Sequence, residues 1–177
     1  MKRLLAVASV AILSTGCATM AMPEMQMAEE PLTEYQKIVD IPNTSQKKIY
    51  DGSKQWFAKN FHDSNSVIKY DNAEKGSIIG KGSMAMPCQG GALACYNVKD
   101  QSLRFTVKVD SKDNRARVSF EDLSIYTPAS YSAGIAIPSR NSTPRLEKDV
   151  TVVKEMLEST VSSLAKDVKE TASSEDW

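Results

Sequence analysis

The 177-residue sequence has a single histidine, three cysteines and no excess of charge of either sign. Its 22 basic residues balance 22 acidic ones, so the chain lacks the positive surplus with which proteins grip nucleic-acid phosphates. Beyond the N-terminus, no apolar run reaches the roughly 20 residues that a membrane-spanning helix needs. The one histidine, His62, has no identifiable nucleophile to pair with. These absences disfavour a nucleic-acid-binding protein, a membrane-spanning protein and a histidine-dependent enzyme.

The N-terminus has the pattern of an export signal. Met1-Lys2-Arg3 is basic, and the apolar run Leu4 to Leu13 is followed by small residues that end at Cys17. This run is too short to span a bilayer stably, and a small-residue cleavage site follows it. The Gly-Cys junction resembles the bacterial lipoprotein signal, although Ser14 stands where leucine is usual. The resemblance implies cleavage before Cys17 and acylation of that residue. The alternative is an ordinary secreted protein in which the cysteine occurs by chance.

The stretch after the signal is rich in methionine and is predicted to be a flexible tether. In enteric-type bacteria, a residue other than aspartate directly after the lipidated cysteine resembles the signal for the outer membrane. Ala18 is at this position, and the resemblance implies an anchor in the outer membrane that faces the periplasm. The four methionines are Met20, Met22, Met25 and Met27. Closely spaced thioethers suit Cu(I), so copper handling is an alternative function. A low-complexity linker is favoured, because no histidine or cysteine accompanies the methionines.

The middle of the chain alternates apolar and polar residues as β-strands do. Four antiparallel strands in sequence order are predicted between Ser66 and Ile125, preceded by a separate strand at Glu34 to Ile41. Apolar residues at the odd positions of 103–109 predict that one face of the sheet is buried and the other is exposed to solvent. A switch of apolar parity after Phe120 predicts that the last long strand ends there.

Two helices are predicted to cover the buried face of the sheet. The first runs from about Gln46 to Asn60, after N-cap candidates at 43–45. Gly52 weakens it by up to about 1 kcal/mol relative to alanine. The second runs from Leu146 to Thr171, with apolar residues every three or four positions. The predicted fold class is therefore α+β: strand, helix, four antiparallel strands and helix, with both helices on one face of one sheet.

Two further segments carry predictions about covalent and surface chemistry. With Cys17 acylated in an oxidising compartment, Cys88 and Cys95 have only each other, and a structural disulfide is favoured over a metal or redox pair. A ring this small is expected to stabilise the fold by about 2–3 kcal/mol. Residues 126–144 are predicted to be a long polar loop. Its apolar residues are a candidate partner surface: Tyr131, Ile135 and Ile137.

Several short motifs together resemble a known family. They are Ile41-Pro42 before a helix with Ile49-Tyr50 and Trp56, Gly-Lys-Gly at 80–82, and Arg115-Ala116-Arg117 at the start of the last long strand. They resemble uncharacterised bacterial domains described as having a TATA-binding-protein-like fold, over about Tyr35 to Val168. Ala116 stands where the family usually has tyrosine. The resemblance implies the fold and leaves activity open. It does not imply DNA binding, because the chain is exported and has no basic surplus.

The predicted organisation is a signal at 1–16, a tether at 17–33, the α+β domain at 34–172 and a frayed tail at 173–177. The expected function is that of a membrane-anchored envelope lipoprotein, a non-catalytic module that binds a protein or a small ligand. No catalytic residue, cofactor or nucleic-acid partner is expected. The expected partners are the bilayer, through acylated Cys17, and an unidentified envelope protein or small ligand. A Cu(I)-handling protein and an unrecognised enzyme are the alternatives.

Replacement of the lipidation residue tests the anchor. Cys17→Ala is expected to leave the protein without acyl chains, and either unprocessed or released from the membrane, because the thiol that receives lipid is gone. Intact-mass measurement of the wild-type protein should find cleavage before Cys17 and the mass of the attached lipid. A free N-terminal cysteine, or cleavage elsewhere, would contradict the prediction.

Overall fold

The computed structural model describes residues 26–61, 68–88, 95, 100–132 and 134–174. Its elements are β1 (Tyr35–Asp40), α1 (Gln46–Asn60), β2 (Ile68–Asn72), β3 (Ser77–Ala85), β4 (Ser102–Lys112), β5 (Arg115–Thr127), β6 (Ser130–Ser132), β7 (Ile135–Ile137), β8 (Arg140–Ser142) and α2 (Glu147–Ser174). The long strands form an antiparallel sheet in the order β1-β5-β4-β3-β2. Strand β8 adds to the end of β5, and β6 and β7 form a separate hairpin. The predicted α+β fold class is confirmed.

The inner face of the sheet is buried because its strands alternate in phase with one another. In β4 the odd-numbered residues from Leu103 to Val109 are all buried. The register pairs Val107 with Phe120 and Val109 with Val118, so apolar side chains of β5 fall on the same face. Full burial of each such side chain stabilises the folded state by about 1.5–3 kcal/mol. Because these side chains lie next to one another, the inner face of the sheet forms one wall of the hydrophobic core.

Helix α1 begins where the sequence places its cap. The side chain of Ser45 accepts a hydrogen bond from the backbone N–H of Lys48, which satisfies one of the free donors of the first turn. The buried side of the helix carries Ile49, Trp56 and Phe57. These side chains form an apolar stripe that lies against the inner face of the sheet.

Aromatic rings join α1 to the sheet. The ring of Phe61, just after α1, lies between those of Trp56 and Phe105, at centroid distances of 5.2 Å and 6.1 Å. Phe105 in turn contacts Phe120 at 5.3 Å. Gly82 makes room for this cluster, since a Cβ there would lie 2.5 Å from the Phe105 ring and 2.9 Å from the Phe61 ring. The absence of a side chain at Gly82 therefore lets two aromatic rings pack against the backbone of β3.

Helix α2 packs on both α1 and the sheet, and the two helices meet at a glycine. An added Cβ at Gly52 would lie 3.1 Å from the Cα of Val168. Nearby, the Trp56 indole N–H donates to the Ser163 hydroxyl at 3.3 Å. The glycine that weakens α1 as an isolated helix therefore permits close packing of the helix pair. Neither helix in the described part of the chain has an apolar stretch long enough to cross a membrane.

Two sequence predictions about the C-terminal half of the sheet are wrong. Strand β5 does not end after Phe120 but continues to Thr127, because the parity switch marks a bulge inside the strand. The segment 126–144 is not irregular throughout, since it contains β6, β7 and β8. Strands of three residues carry too little alternation to be seen in the sequence.

Part of the predicted tether belongs to the folded domain. The backbone N–H groups of Ala28 and Leu32 donate to the carbonyls of Arg145 and Pro144, at 2.8 Å and 2.9 Å. The N–H of Glu147 donates to the Gln26 carbonyl at 3.0 Å. Residues 26–33 therefore differ from the flexible segment expected, because they hydrogen-bond to the chain before α2. Residues 17–25 lie outside the described residues.

The helix–helix contact predicts the effect of enlarging Gly52. Gly52→Leu is expected to lower the free energy of unfolding by about 1–2 kcal/mol, because the cost of overpacking exceeds the gain in helix propensity. Urea denaturation measures this change. Ala58→Leu, at an exposed position of the same helix, is the matched control and should stay within about 0.5 kcal/mol of wild type. Equal stability of the two variants would contradict the packing argument.

Candidate functional site

The side of the sheet that faces away from both helices, which we call the open face, is largely polar. Residues at even positions of β4 and odd positions of β3 point to this side, because their neighbours along each strand are buried. The described helices lie on the other side, so the side chains of the open face are accessible to a ligand.

A carboxylate on the open face, near the C-terminal end of β4, ties three strands together. The Asp110 carboxylate lies 2.8 Å from the Arg117 guanidinium and 3.2 Å from the Lys108 ammonium. It also accepts a hydrogen bond from the Ser77 hydroxyl at 2.8 Å. Burial of Asp110 opposes its ionisation, but the hydrogen bonds from Arg117, Ser77 and Lys108 outweigh burial and hold the pKa of this carboxyl below its usual value. Since its charge is already compensated, Asp110 is suited to fixing the sheet.

Further along the open face, the bulge in β5 reshapes the sheet. Arg104 pairs with Ser124 while Thr106 pairs with Glu121, so β5 holds one more residue than β4 across this interval. Asp122 occupies the bulge with φ of 55°, a left-handed conformation that few residues other than glycine, asparagine and aspartate adopt. Its carboxylate accepts a hydrogen bond from the Thr106 hydroxyl at 2.9 Å.

A groove of about 540 Å³ lies over the bulge, and we call it the bulge groove. It crosses four strands and is lined by Lys81, Gly82, Ser83, Arg104, Phe105, Thr106, Asp122, Ser124 and Asn141. Before the bulge, β5 buries even-numbered residues, whereas after the bulge it buries Leu123 and Ile125. Ser124 lies between these two buried residues and therefore points towards the groove. The groove therefore exists only because the strand changes phase at Asp122.

Two cations line the bulge groove, and one of them is held in place by an aromatic ring. The guanidinium carbon of Arg104 lies 3.5 Å from the ring centroid of Tyr126, a cation–π contact. Lys81 is on the neighbouring strand and is exposed. Within the described parts of the chain, neither cation has a carboxylate at ion-pair distance. The groove combines fixed positive charge with hydroxyl, amide and carboxylate groups.

The predicted partner surface is exposed, but its residues do not share one face. Tyr131, Ile135 and Ile137 are 76%, 68% and 43% exposed in the β6–β7 hairpin. Ile135 and Ile137 pair with serines, whereas Tyr131 pairs with Ala136. Paired residues share a face, so the structure brings the two isoleucines together and turns the tyrosine to the opposite side.

The other predicted site residues are only partly within the described chain. Cys88 and Cys95 are joined as a disulfide with a Cα–Cα distance of 5.1 Å, and the loop between them lies outside the described residues. Cys17 and His62 also lie outside them, as do three of the tether methionines, Met20, Met22 and Met25. Met27 is 58% exposed and pairs with Leu146 in an isolated bridge.

Sequence reasoning did not identify the residues of the bulge groove. Arg104 and Tyr126 are far apart in the sequence, and each reads as an ordinary outward-facing residue of a strand. The available signal is the parity switch between Phe120 and Leu123, a pattern that the end of a strand also produces. An aspartate at such a switch also indicates a bulge, because aspartate tolerates the left-handed conformation that a bulge requires.

An antiparallel sheet with two helices on one face and an open polar face on the other defines a small α+β domain of TBP-like architecture. Residues 35–126 match the family model described as a domain of unknown function (DUF4468) with TBP-like fold. The chain belongs to this family, which confirms the resemblance of fold expected from the sequence.

Solved structures support the same fold. A DUF4468 family protein from Bacteroides ovatus ATCC 8483 is similar with a TM-score of 0.54 and 16% identity, over 82% of this chain and 89% of that one. A TBP-like protein from Parabacteroides distasonis ATCC 8503 is similar with a TM-score of 0.54 and 17% identity, over 79% and 92%. No curated protein matches the chain. These likenesses concern the fold alone.

The charge cluster at Asp110 predicts how stability depends on pH. Because the folded-state pKa is lowered, the stabilisation is complete above the unfolded value of about 3.9 and is lost as pH falls through the folded pKa. Asp110→Asn should be about 1–2 kcal/mol less stable at pH 7 and should lose less of its remaining stability on acidification.

Urea denaturation between pH 7 and pH 2.5 measures both effects. Glu155→Gln removes an exposed carboxylate of α2 and is the matched control. An acid profile of Asp110→Asn that runs parallel to that of wild type would contradict the assignment.

Proposed function

We propose that this protein is a lipid-anchored lipoprotein of the bacterial envelope, and that its α+β domain is a non-catalytic binding module. In this proposal acylated Cys17 holds the domain at the outer membrane on its periplasmic side. The bulge groove on the open face takes up a small polar ligand. The domain then acts by binding alone, without converting that ligand.

The observation that carries the binding site is the groove over the β5 bulge. It joins about 540 Å³ of space to polar groups from four strands, on the side of the sheet that the helices leave open. Asp122 keeps a conformation that costs roughly 1–3 kcal/mol in most residues, and such strain is concentrated at functional sites. Ligand sites are concave and few per protein, and they hold a small number of well-placed polar groups.

The direction of the pKa shifts supports a non-catalytic role. General acids and bases work best with a pKa near the operating pH. Hydrogen bonding to Asp71 raises the pKa of Tyr50, and hydrogen bonds from Lys54 and Tyr50 lower the pKa of Asp71. The pKa of Asp110 is likewise lowered. Each of these shifts moves the group away from neutrality, which suits structural ion pairs better than proton transfer.

The export signal and the short tether support the location. A basic start, an apolar run and a cysteine after small residues are the features that a lipoprotein signal requires. Since residues 26–33 hydrogen-bond to the folded domain, the link to Cys17 consists of 17–25.

Association with another envelope protein through the β6–β7 hairpin is a second candidate function. All described residues of the two strands are exposed, and an isolated two-stranded hairpin is only marginally stable in water. Contact with a protein surface would cover Ile135 and Ile137, which lie together on one side of the hairpin. The groove is favoured as the primary site, because its residues are held in place by the sheet.

The proposed function is tested by screening small polar molecules against the full mature chain. A ¹⁵N-labelled sample in detergent micelles, titrated with a mixed set of acids, neutral sugars and amines, should show shifts at 81–83, 104–106 and 122–124. Asp122→Gly should keep the fold, because glycine adopts the same φ, and should weaken binding of those ligands whose hydroxyl groups donate to the carboxylate.

Ile135→Ser with Ile137→Ser is the matched control, and it is expected to leave ligand binding unchanged. Shifts confined to the hairpin would transfer the function to that surface. No shift in the groove with any member of the set would overturn the proposal.

A further inference from the structure

We infer that the ligand of the bulge groove carries an anionic group, a carboxylate or a phosphate, which Arg104 and Lys81 bind together. This inference rests on the proposed function and names the chemistry of its ligand. It is carried by three observations: the balance of charge in the groove, the fixed position of Arg104, and the hydroxyl and amide groups beside it.

The charge facing the groove is positive and is not neutralised internally. Two cations, Lys81 and Arg104, line it against one carboxylate, Asp122. Asp122 is itself engaged by the Thr106 hydroxyl, and the described chain has no carboxylate at ion-pair distance from either cation. An anion in the groove would therefore meet two cations that are not already in an ion pair with a carboxylate.

The two cations line the same groove from adjacent strands. Ser83 lies directly opposite Arg104 on the adjacent strands, and Lys81 is two residues along β3, on the same face. Diagonal neighbours of this kind have Cα atoms about 7–8 Å apart, within reach of two long side chains. The Arg104 guanidinium lies over Tyr126 on β5, whereas Lys81 is on β3, so the two cations attract an anionic ligand from different sides of the groove.

Arg104 is positioned before any ligand arrives. Its guanidinium lies 3.5 Å from the centroid of the Tyr126 ring, and β8 supports that ring's strand by pairing Tyr126 with Asn141. A guanidinium stacked by one face keeps its N–H edges available for a planar, bidentate acceptor. Because the side chain is already ordered, less rotamer freedom is lost on binding.

The remaining groups of the groove suit the uncharged part of such a ligand. Ser83, Ser124 and Asn141 offer both donors and acceptors, and the Asp122 carboxylate accepts from hydroxyl groups. A small acid that also carries hydroxyls, such as a sugar acid or a sugar phosphate, matches this set.

A second concavity of the open face carries more cations but encloses less space. It measures about 210 Å³ and is lined by residues that include the cations Lys112, Arg115 and Arg117 and the carboxylate of Asp110. Arg117 already forms an ion pair with Asp110 at 2.8 Å, so part of this positive charge is compensated. We favour the bulge groove because its volume is about 540 Å³ and because Arg104 is already held against the ring of Tyr126.

Four sugars of matched size test the inference on the full mature chain: glucose, glucosamine, glucuronate and glucose 6-phosphate. We expect glucuronate or glucose 6-phosphate to shift the resonances of the groove and to bind at least tenfold more tightly than glucose. Glucosamine should bind more weakly than glucose. Comparison of the two anions shows whether carboxylate or phosphate is preferred.

Charge-neutral variants assign the effect to the two cations. Arg104→Gln and Lys81→Gln should each weaken binding of the preferred anion by tenfold or more and leave glucose unaffected. Lys154→Gln removes the same charge from an exposed position of α2 and should stay within twofold of wild type. Thermal melting of each variant confirms that it is folded.

The outcomes separate this inference from the proposed function. If glucose or glucosamine binds in the groove as tightly as the anions, the ligand is not selected by negative charge and the inference fails, while the groove remains a binding site. If the anions bind but Lys154→Gln weakens them as much as Arg104→Gln does, attraction is general and the inference also fails. If no sugar shifts the groove residues, the anion assignment is overturned, and the wider screen decides the proposed function.

Discussion

The contact between the aromatic cluster of α1 and the inner face of the sheet determines the rest of the structure. Phe105 and Phe120 project from neighbouring strands and meet Phe61 and Trp56, so helix and sheet share one core. Gly82 is required beneath these rings, because a side chain there would collide with two of them. Because one face of the sheet is buried in this core, the polar and charged side chains of the strands lie on the opposite face.

The bulge at Asp122 separates the two tasks of β5. Before the bulge, the strand buries even-numbered residues and supports the Asp110 cluster through Arg117. After it, the strand buries odd-numbered residues and turns Ser124 and Tyr126 outward. One extra residue thus lets a single strand complete the core and also line a groove, at the cost of a strained backbone.

The sequence was sufficient to predict the parts of the structure that depend on periodicity. The alternation in β4, the stripe of α2 and the cap at Ser45 all predict the elements that are observed, because burial of one face imposes a regular spacing. The groove could not be predicted, since the Arg104–Tyr126 contact depends on register across two strands. The bulge was visible as a change of phase, but a strand end and a bulge give the same local pattern.

The hydrogen bonds that hold residues 26–33 against the chain before α2 limit how far the domain can travel. If Cys17 is acylated, only the stretch 17–25 spans the distance to the bilayer. A fully extended segment of this length reaches about 30 Å. The domain would then search a thin layer next to the lipid headgroups, where its local concentration is high. A ligand released at the membrane surface would meet the domain far more often than one that diffuses through the periplasm.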